Sequence, residues 1–127
     1  MHIDELNHLV IGCAHTVHNT LGCGFLEKVY ENAMLLELGA AGIRAEAQAR
    51  IEVRYRGTMI GEFLADILVE GCLIVELKAV NALAKEHEVQ LVNYLAATGM
   101  DDGLLINFGR SVEVRRKYRV FRQGTAG

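Results

Sequence analysis

Hydrophobic positions along this chain recur first at helical spacing, then at strand spacing, with one return to the helix. From Asp4 to about Leu21, apolar residues at Leu6, Leu9, Val10, Cys13, Ala14 and Val17 predict a helix with Asp4 as its cap and Gly22 as its end. Residues 22–25, Gly-Cys-Gly-Phe, read as a turn. A second helix then runs from Leu26 to about Ala40, with Val29, Ala33, Leu36 and Ala40 as its apolar stripe and Gly42 closing it. Beyond it the period falls to two. Ile51, Val53 and Tyr55 alternate with Glu52, Arg54 and Arg56, Gly57-Thr58 turns the chain, and Met59 to Val69 pairs back as a hairpin. Glu70-Gly71 turns it again into Leu73 to Ala79, apolar at nearly every position before Glu76, as a strand at the centre of a sheet would be. Lys85 to about Thr98 is helical through Val89, Val92, Leu95 and Ala96, with Gly99 as terminator, and Gly103 to Phe108 is another central strand. Finally Val112, Val114, Tyr118 and Val120 alternate with Glu113, Arg115, Lys117 and Arg119, a strand with one charged face. The order ααβββαββ defines an α/β domain with a mixed sheet.

Composition narrows the setting. A length of 127 residues and a hydrophobic content of 51% fit a single domain, 1–127, burying roughly two-thirds of its unfolded surface. No apolar run approaches the roughly 18 residues of a membrane span, and no signal-peptide layout opens the chain, so a cytoplasmic protein without a membrane partner is expected. Cys13, Cys23 and Cys72 are odd in number and lack the short paired spacing of a zinc knuckle or disulfide framework; they are expected to be small buried hydrophobes. The net charge of -3 gives no global attraction to polyanions. Six of the thirteen basic residues, Arg110, Arg115, Arg116, Lys117, Arg119 and Arg122, fall in the last eighteen positions, so any contact with nucleic acid must be local.

The chemistry concentrates at Asp66 and, ten residues later, Glu76-Leu77-Lys78. Two carboxylates suit a hard divalent cation such as Mg²⁺, and a lysine beside them suits orienting or deprotonating an attacking water, the requirements of metal-dependent phosphodiester cleavage. Both segments lie in apolar runs where an unpaired charge costs several kcal/mol, so these side chains need one another or a cation. A buried Asp-Lys-Glu network without metal satisfies the same requirement. Sharing an ion also demands a register. With a strict two-residue turn at Glu70-Gly71, Asp66 would face Val75 and emerge on the opposite sheet face from Glu76; an extra residue with Gly71 left-handed, or a bulge, is therefore expected.

Residues 24–30, Gly-Phe-Leu-Glu-Lys-Val-Tyr, match a G-x-x-E-x-x-Y signature, and with the motifs above nearly the whole chain resembles the GxxExxY family of the PD-(D/E)XK nuclease superfamily. The resemblance implies a restriction-endonuclease-like αβββαβ core, a mixed central sheet flanked by helices, here preceded by an extra N-terminal helix. It implies site residues at Glu27, Asp66, Glu76, Lys78, Gln90 and Tyr94, with Mg²⁺ or Mn²⁺ held by Asp66, Glu76 and the Leu77 carbonyl. Lys78 would align the water, Glu27 would support a water on the ion or a second ion, and Gln90 and Tyr94 would form a supporting shell. Ala65 stands where the superfamily's name has proline, a change that removes no ligand. A glutamate in the first turn of a helix is also favoured by the helix dipole alone, and Gln90 with Tyr94, four apart on one helix face, equally suits a brace between helix and sheet. His87 falls near the same cleft with a surface imidazole as its default; His8, His15 and His18 lie on or near the first helix, and His15 and His18, three apart, lack the nearby acidic partner of a transition-metal site.

These residues imply a magnesium-dependent nuclease-like phosphodiesterase acting on DNA or RNA. The competing class is a non-catalytic nucleic-acid or protein interaction module on the same scaffold, and a regulatory or toxin-linked subunit is not separated from either by sequence. Arg115, Lys117 and Arg119, at alternate positions, are the candidate phosphate-binding face, unless they serve only to charge an edge strand against aggregation; Arg54, Arg56 and Lys85 are the remaining basic candidates. A homo-oligomer is compatible with the sequence but not indicated by it.

Overall fold

A computed structural model describes residues 1–119 of the chain. Helix α1 (Ile3–Leu21) is capped by His2, whose Nδ1 accepts the Asp4 amide at 3.1 Å, rather than by Asp4 itself. Asp4 and Glu5 sit in the first turn, where the helix dipole favours negative charge. Helix α2 (Glu27–Ala40) buries Tyr30, Glu31, Met34 and Leu38. This differs from the expected stripe: Leu36 is 77% exposed and Val29 also faces solvent. The larger side chains of Tyr30, Met34 and Leu38, themselves four apart, fill the space over the sheet, and the Tyr30 ring stacks on Phe108 with centroids 4.4 Å apart.

Strands β1 (Ala45–Tyr55) and β2 (Thr58–Val69) form a long hairpin whose turn residues Arg56 and Gly57 both have positive φ. Strand β3 (Leu73–Lys78) follows, then helix α3 (Lys85–Thr98) ending at left-handed Gly99, then β4 (Asp102–Phe108) and edge strand β5 (Val112–Tyr118). Spatial order equals chain order, β1-β2-β3-β4-β5, with β3 and β4 parallel across the α3 crossover and every other pair antiparallel. The element order is as expected, and β3 is central. Strand β1 starts six residues before Ile51. Val120 and Arg122 lie outside the described residues.

Helices α1 and α2 cover one face of the sheet, over Ile67, Val69, Val75, Leu77 and Ile106. Helix α3 covers the other with Leu91, Tyr94 and Leu95, over Ala49, Ile51, Ala65, Ile74 and Leu105. Its inward stripe again differs from the expectation: Val89 and Ala96 are exposed, because the bulkier Leu91 and Tyr94 take the sheet-facing side. Cys23 and Cys72 are exposed and Cys13 half-buried, correcting the expectation of burial; the first two sit in turns, where little packs. Among the described residues no helix is long and apolar enough to cross a membrane.

One departure from strict alternation positions the site. Ala45, Ile67 and Val69 face α1 and α2, whereas Ala49, Ile51 and Ala65, all odd-numbered like them, face α3. The sheet face changes hands between rungs Ala47↔Ile67 and Ala49↔Ala65, where Gln48 takes φ +53° and stands out of the ladder with Asp66.

Gly103 lies directly under Leu91, so a Cβ there would meet the Leu91 side chain at 2.9 Å. Because Leu91 is fully buried, Gly103→Ala should lower the stability measured by urea unfolding by about 1–3 kcal/mol. An unchanged midpoint would contradict the seating of α3 described here.

Candidate active site

The turn between β2 and β3 fixes which side chains meet. It holds three residues, 70–72, with Glu70 at φ +51° and Gly71 at φ +67°. The ladder Val69↔Leu73, Leu68↔Ile74, Ile67↔Val75 therefore continues to Asp66 opposite Glu76, the register that a shared ion needs. Pairing stops there. Strand β2 departs, and the Leu77 amide, left without a backbone acceptor across the strand, donates to Asp66 Oδ2 at 2.7 Å. Within a strand the N–H and C=O of one residue point to the same edge, so the Leu77 carbonyl faces the same gap.

Glu76 is 6% exposed, and its Oε1 has no hydrogen-bond partner. Burial, and then the Asp66 carboxylate beside it, push its pKa up to about 9, against the opposing pull of Lys78. Burial and the neighbouring charge thus favour a proton shared within the Asp66–Glu76 pair, on the Glu76 side, in the absence of a cation. Lys78 is half-buried and, among the described residues, has no carboxylate within 4.0 Å. Glu27, the first residue of α2, faces the same charges: partial burial raises its pKa most, Lys78 opposes this, and Asp66 adds to it. The Tyr94 phenol is held protonated by burial and then by Glu76 and Asp66. The structure therefore gathers Glu27, Asp66, Glu76, Lys78 and Tyr94. Gln90 stands apart on the exposed side of α3, where it lines a larger groove with Tyr94.

Three further residues belong to this region. A cavity of about 180 Å³ is lined by Glu27, Lys28, Glu31, Gln48, Asp66 and Leu77. Glu31, 3% exposed, is held between the Lys28 ammonium and the Gln48 amide. Its spacing of four from Glu27 placed it on the same helix face and was the available signal. Asn107, fully buried in β4, accepts the Val80 amide and donates to the Val80 carbonyl and to Glu113 Oε1, all at 2.9 Å. It pins the chain leaving Lys78, and a lone amide in the apolar run 104–108 was its signal. His87 accepts the Ala84 amide through Nδ1 at 3.1 Å and is close enough to lower the pKa of Glu27. His18 Nε2 contacts the Gly109 carbonyl at 2.8 Å, while His8 and His15 are exposed.

The charged face of β5 is committed elsewhere. Lys117 pairs with Glu88 at 3.0 Å, Arg119 with Asp101 at 2.9 Å and Arg115 with Glu113 at 3.8 Å. Arg115 is in register with Leu105, one strand beyond Glu76, and Lys117 and Arg119 lie towards the opposite end of the sheet from Lys78. These three do not line the cavity.

Among the described residues no three His, Cys, Asp or Glu side chains are grouped to hold an ion. A cation here would rest on the Asp66 and Glu76 carboxylates completed by backbone and water oxygens, the donor set of Mg²⁺ rather than of a transition metal. The unbonded, buried Oε1 of Glu76 fits that group.

The geometry agrees with the family. The description PD-(D/E)XK nuclease superfamily matches residues 4–119, and the chain belongs to that superfamily. Its fold, a five-stranded mixed sheet flanked by helices with an additional N-terminal helix, is restriction-endonuclease-like. A solved structure titled "Crystal structure of SSO0001" is similar, with a TM-score of 0.60 at 16% identity, over 77% of this chain and 52% of that one. The chain thus spans about half the length of that protein, and the likeness is one of fold. No curated protein matches the chain.

Because the folded state raises the Glu76 pKa above its unfolded value, the stability linked to its proton is complete below about pH 4.5 and is lost as pH rises through about 9. In chelator, the melting temperature of wild type should fall relative to Glu76→Gln between about pH 5 and pH 9, since the amide does not titrate. Parallel pH curves for the two proteins would contradict the buried carboxyl.

Proposed function

We propose that this protein is a GxxExxY-family nuclease that hydrolyses phosphodiester bonds in DNA or RNA with Mg²⁺ or Mn²⁺, residues 1–127 forming one catalytic domain. The observation that carries the proposal is a site left electrically incomplete by the protein alone. Asp66 and Glu76 stand side by side, one Glu76 oxygen is buried without a hydrogen-bond partner among the described residues, and Lys78 lies near enough to oppose their effect without closing an ion pair. In this reading Asp66, Glu76 and the Leu77 carbonyl hold the cation, which when bound supplies charge neutralisation at the phosphoryl group and a lowered water pKa. Lys78 donates to the attacking water and fixes its line of approach. Glu27, at the mouth of the cavity, accepts from water on the side facing α2, with His87 within electrostatic reach of it. Tyr94, kept neutral by burial and then by Glu76 and Asp66, donates a hydrogen bond to phosphate, and Gln90 supports the substrate further out.

A second reading, a non-catalytic binding module on the nuclease scaffold, is favoured by the net charge of -3 and by the ion pairing of the basic strand. The two differ in their need for a cation. Mg²⁺ in hundredfold excess over its dissociation constant should stabilise the wild type by about 2.7 kcal/mol, read as a rise in Tm. Asp66→Asn should lose that rise, be more stable than wild type in chelator, and show no metal-dependent cleavage of single- or double-stranded substrates. Equal metal stabilisation of both proteins would remove Asp66 from the site, and stabilisation without cleavage of any substrate would favour the module.

A further inference from the structure

Between the outer face of α3 and the β1–β2 hairpin lies a groove of about 640 Å³. Its walls are apolar: Val53 and Phe63 from the hairpin, Val89 and Tyr94 from the helix. Phe63 is 45% and Val89 48% exposed, so this apolar surface meets water. Tyr94 lines the groove and lies within electrostatic reach of the site. The Tyr94 ring contacts that of Phe63, with centroids 5.5 Å apart, while its hydroxyl feels the charges of Glu76 and Asp66. At the rim stand Gln90 and Asn93, exposed amides whose side chains make no hydrogen bond among the described residues.

We propose that this groove receives an unpaired nucleobase of the strand being cut, so that the site takes single-stranded nucleic acid. The inference rests on the nuclease reading and adds its substrate class. Charge disfavours the usual way of holding a duplex, whose bases are stacked inside and whose phosphates must be met by available cations. The chain is net negative, and Arg50, Arg54, Arg115, Arg116, Lys117 and Arg119 are each paired to a carboxylate, which leaves Arg44, Arg56, Lys78, Lys85 and Arg110 as the cations without an ion pair among the described residues. A single strand instead offers the π-faces of its bases, and stacking on an aromatic ring draws affinity from apolar contact rather than charge. Phe63 supplies that ring, Val53 and Val89 the flanking apolar contact, and the two amides the paired donor and acceptor that fit a base edge.

The test is binding of a 2-aminopurine-labelled oligonucleotide in chelator, as a single strand and as a duplex of the same sequence, so that cleavage plays no part. Wild type should bind the single strand at least about tenfold more tightly and quench its fluorescence by stacking. Phe63→Ala should lose about 5- to 100-fold in affinity together with the quench. Phe63→Trp should keep the affinity, and as the sole tryptophan its emission should fall on binding, which guards against an Ala variant that fails to fold. Equal or tighter duplex binding, or unchanged single-strand affinity in Phe63→Ala, overturns the proposal. So does a Phe63-dependent dimer that binds no nucleic acid, which would assign the groove to a second copy of the chain. Phe63-dependent single-strand binding without cleavage in Mg²⁺ would support the groove and contradict the nuclease reading alone.

Discussion

The hydrogen bond from the Leu77 amide to Asp66 stands where a rung of backbone pairing would otherwise continue between β2 and β3. A side chain has taken the place of a carbonyl, so the two strands separate without leaving a buried donor unpaired. Everything at the site follows from that separation. The gap admits the N-terminal turn of α2 with Glu27 and Glu31, and it leaves the Glu76 carboxyl and the Leu77 carbonyl beside Asp66. Two backbone devices maintain it. The three-residue turn sets the register of the carboxylates, and left-handed Gln48 rotates both strands of the hairpin so that their apolar side passes from α2 to α3.

Placing two carboxylates together in a buried position is unfavourable for the ionised pair, and the protein alone resolves it with a proton on Glu76. A divalent cation, as proposed here, would resolve it differently and would tie metal binding to deprotonation. The spacing Gly24-x-x-Glu27-x-x-Tyr30 has a mechanical sense in the same region. Gly24 adopts φ +104° in the turn, and the buried Tyr30 hydroxyl donates to the Gly22 carbonyl at 2.6 Å while accepting the Phe25 amide at 3.4 Å. Tyr30 thereby fixes the turn that aims the start of α2, and Glu27 with it, at the cavity.

Hydrophobic periodicity carried the element order and type, since each change of period from helix to strand coincides with a glycine-containing turn or a polar break. The register of Asp66 against Glu76 was also legible, because side-chain alternation allows only one parity for two carboxylates that share a site. The inward faces of α2 and α3 were not. Each helix carries two apolar stripes, and the choice of Tyr30 over Leu36, or of Leu91 and Tyr94 over Val89 and Ala96, was made by the volume available over the sheet. Gln48 gave no local sign of its left-handed backbone, which the hairpin as a whole imposes. The partners of the basic strand, Glu88 and Asp101, come from α3 and the loop after it, so no inspection of β5 by itself would reveal that its charge is spent.

The proposed exchange of a proton for a cation at Glu76 is most directly tested by titration calorimetry with Mn²⁺ at pH 7 in buffers of different ionisation enthalpy. Wild type should release about one proton per ion bound, Glu76→Gln none, and Asp66→Asn should bind weakly or not at all. Binding without proton release, or release of the same proton from Glu76→Gln, would show that the carboxyl between Asp66 and Lys78 is not where the cation goes.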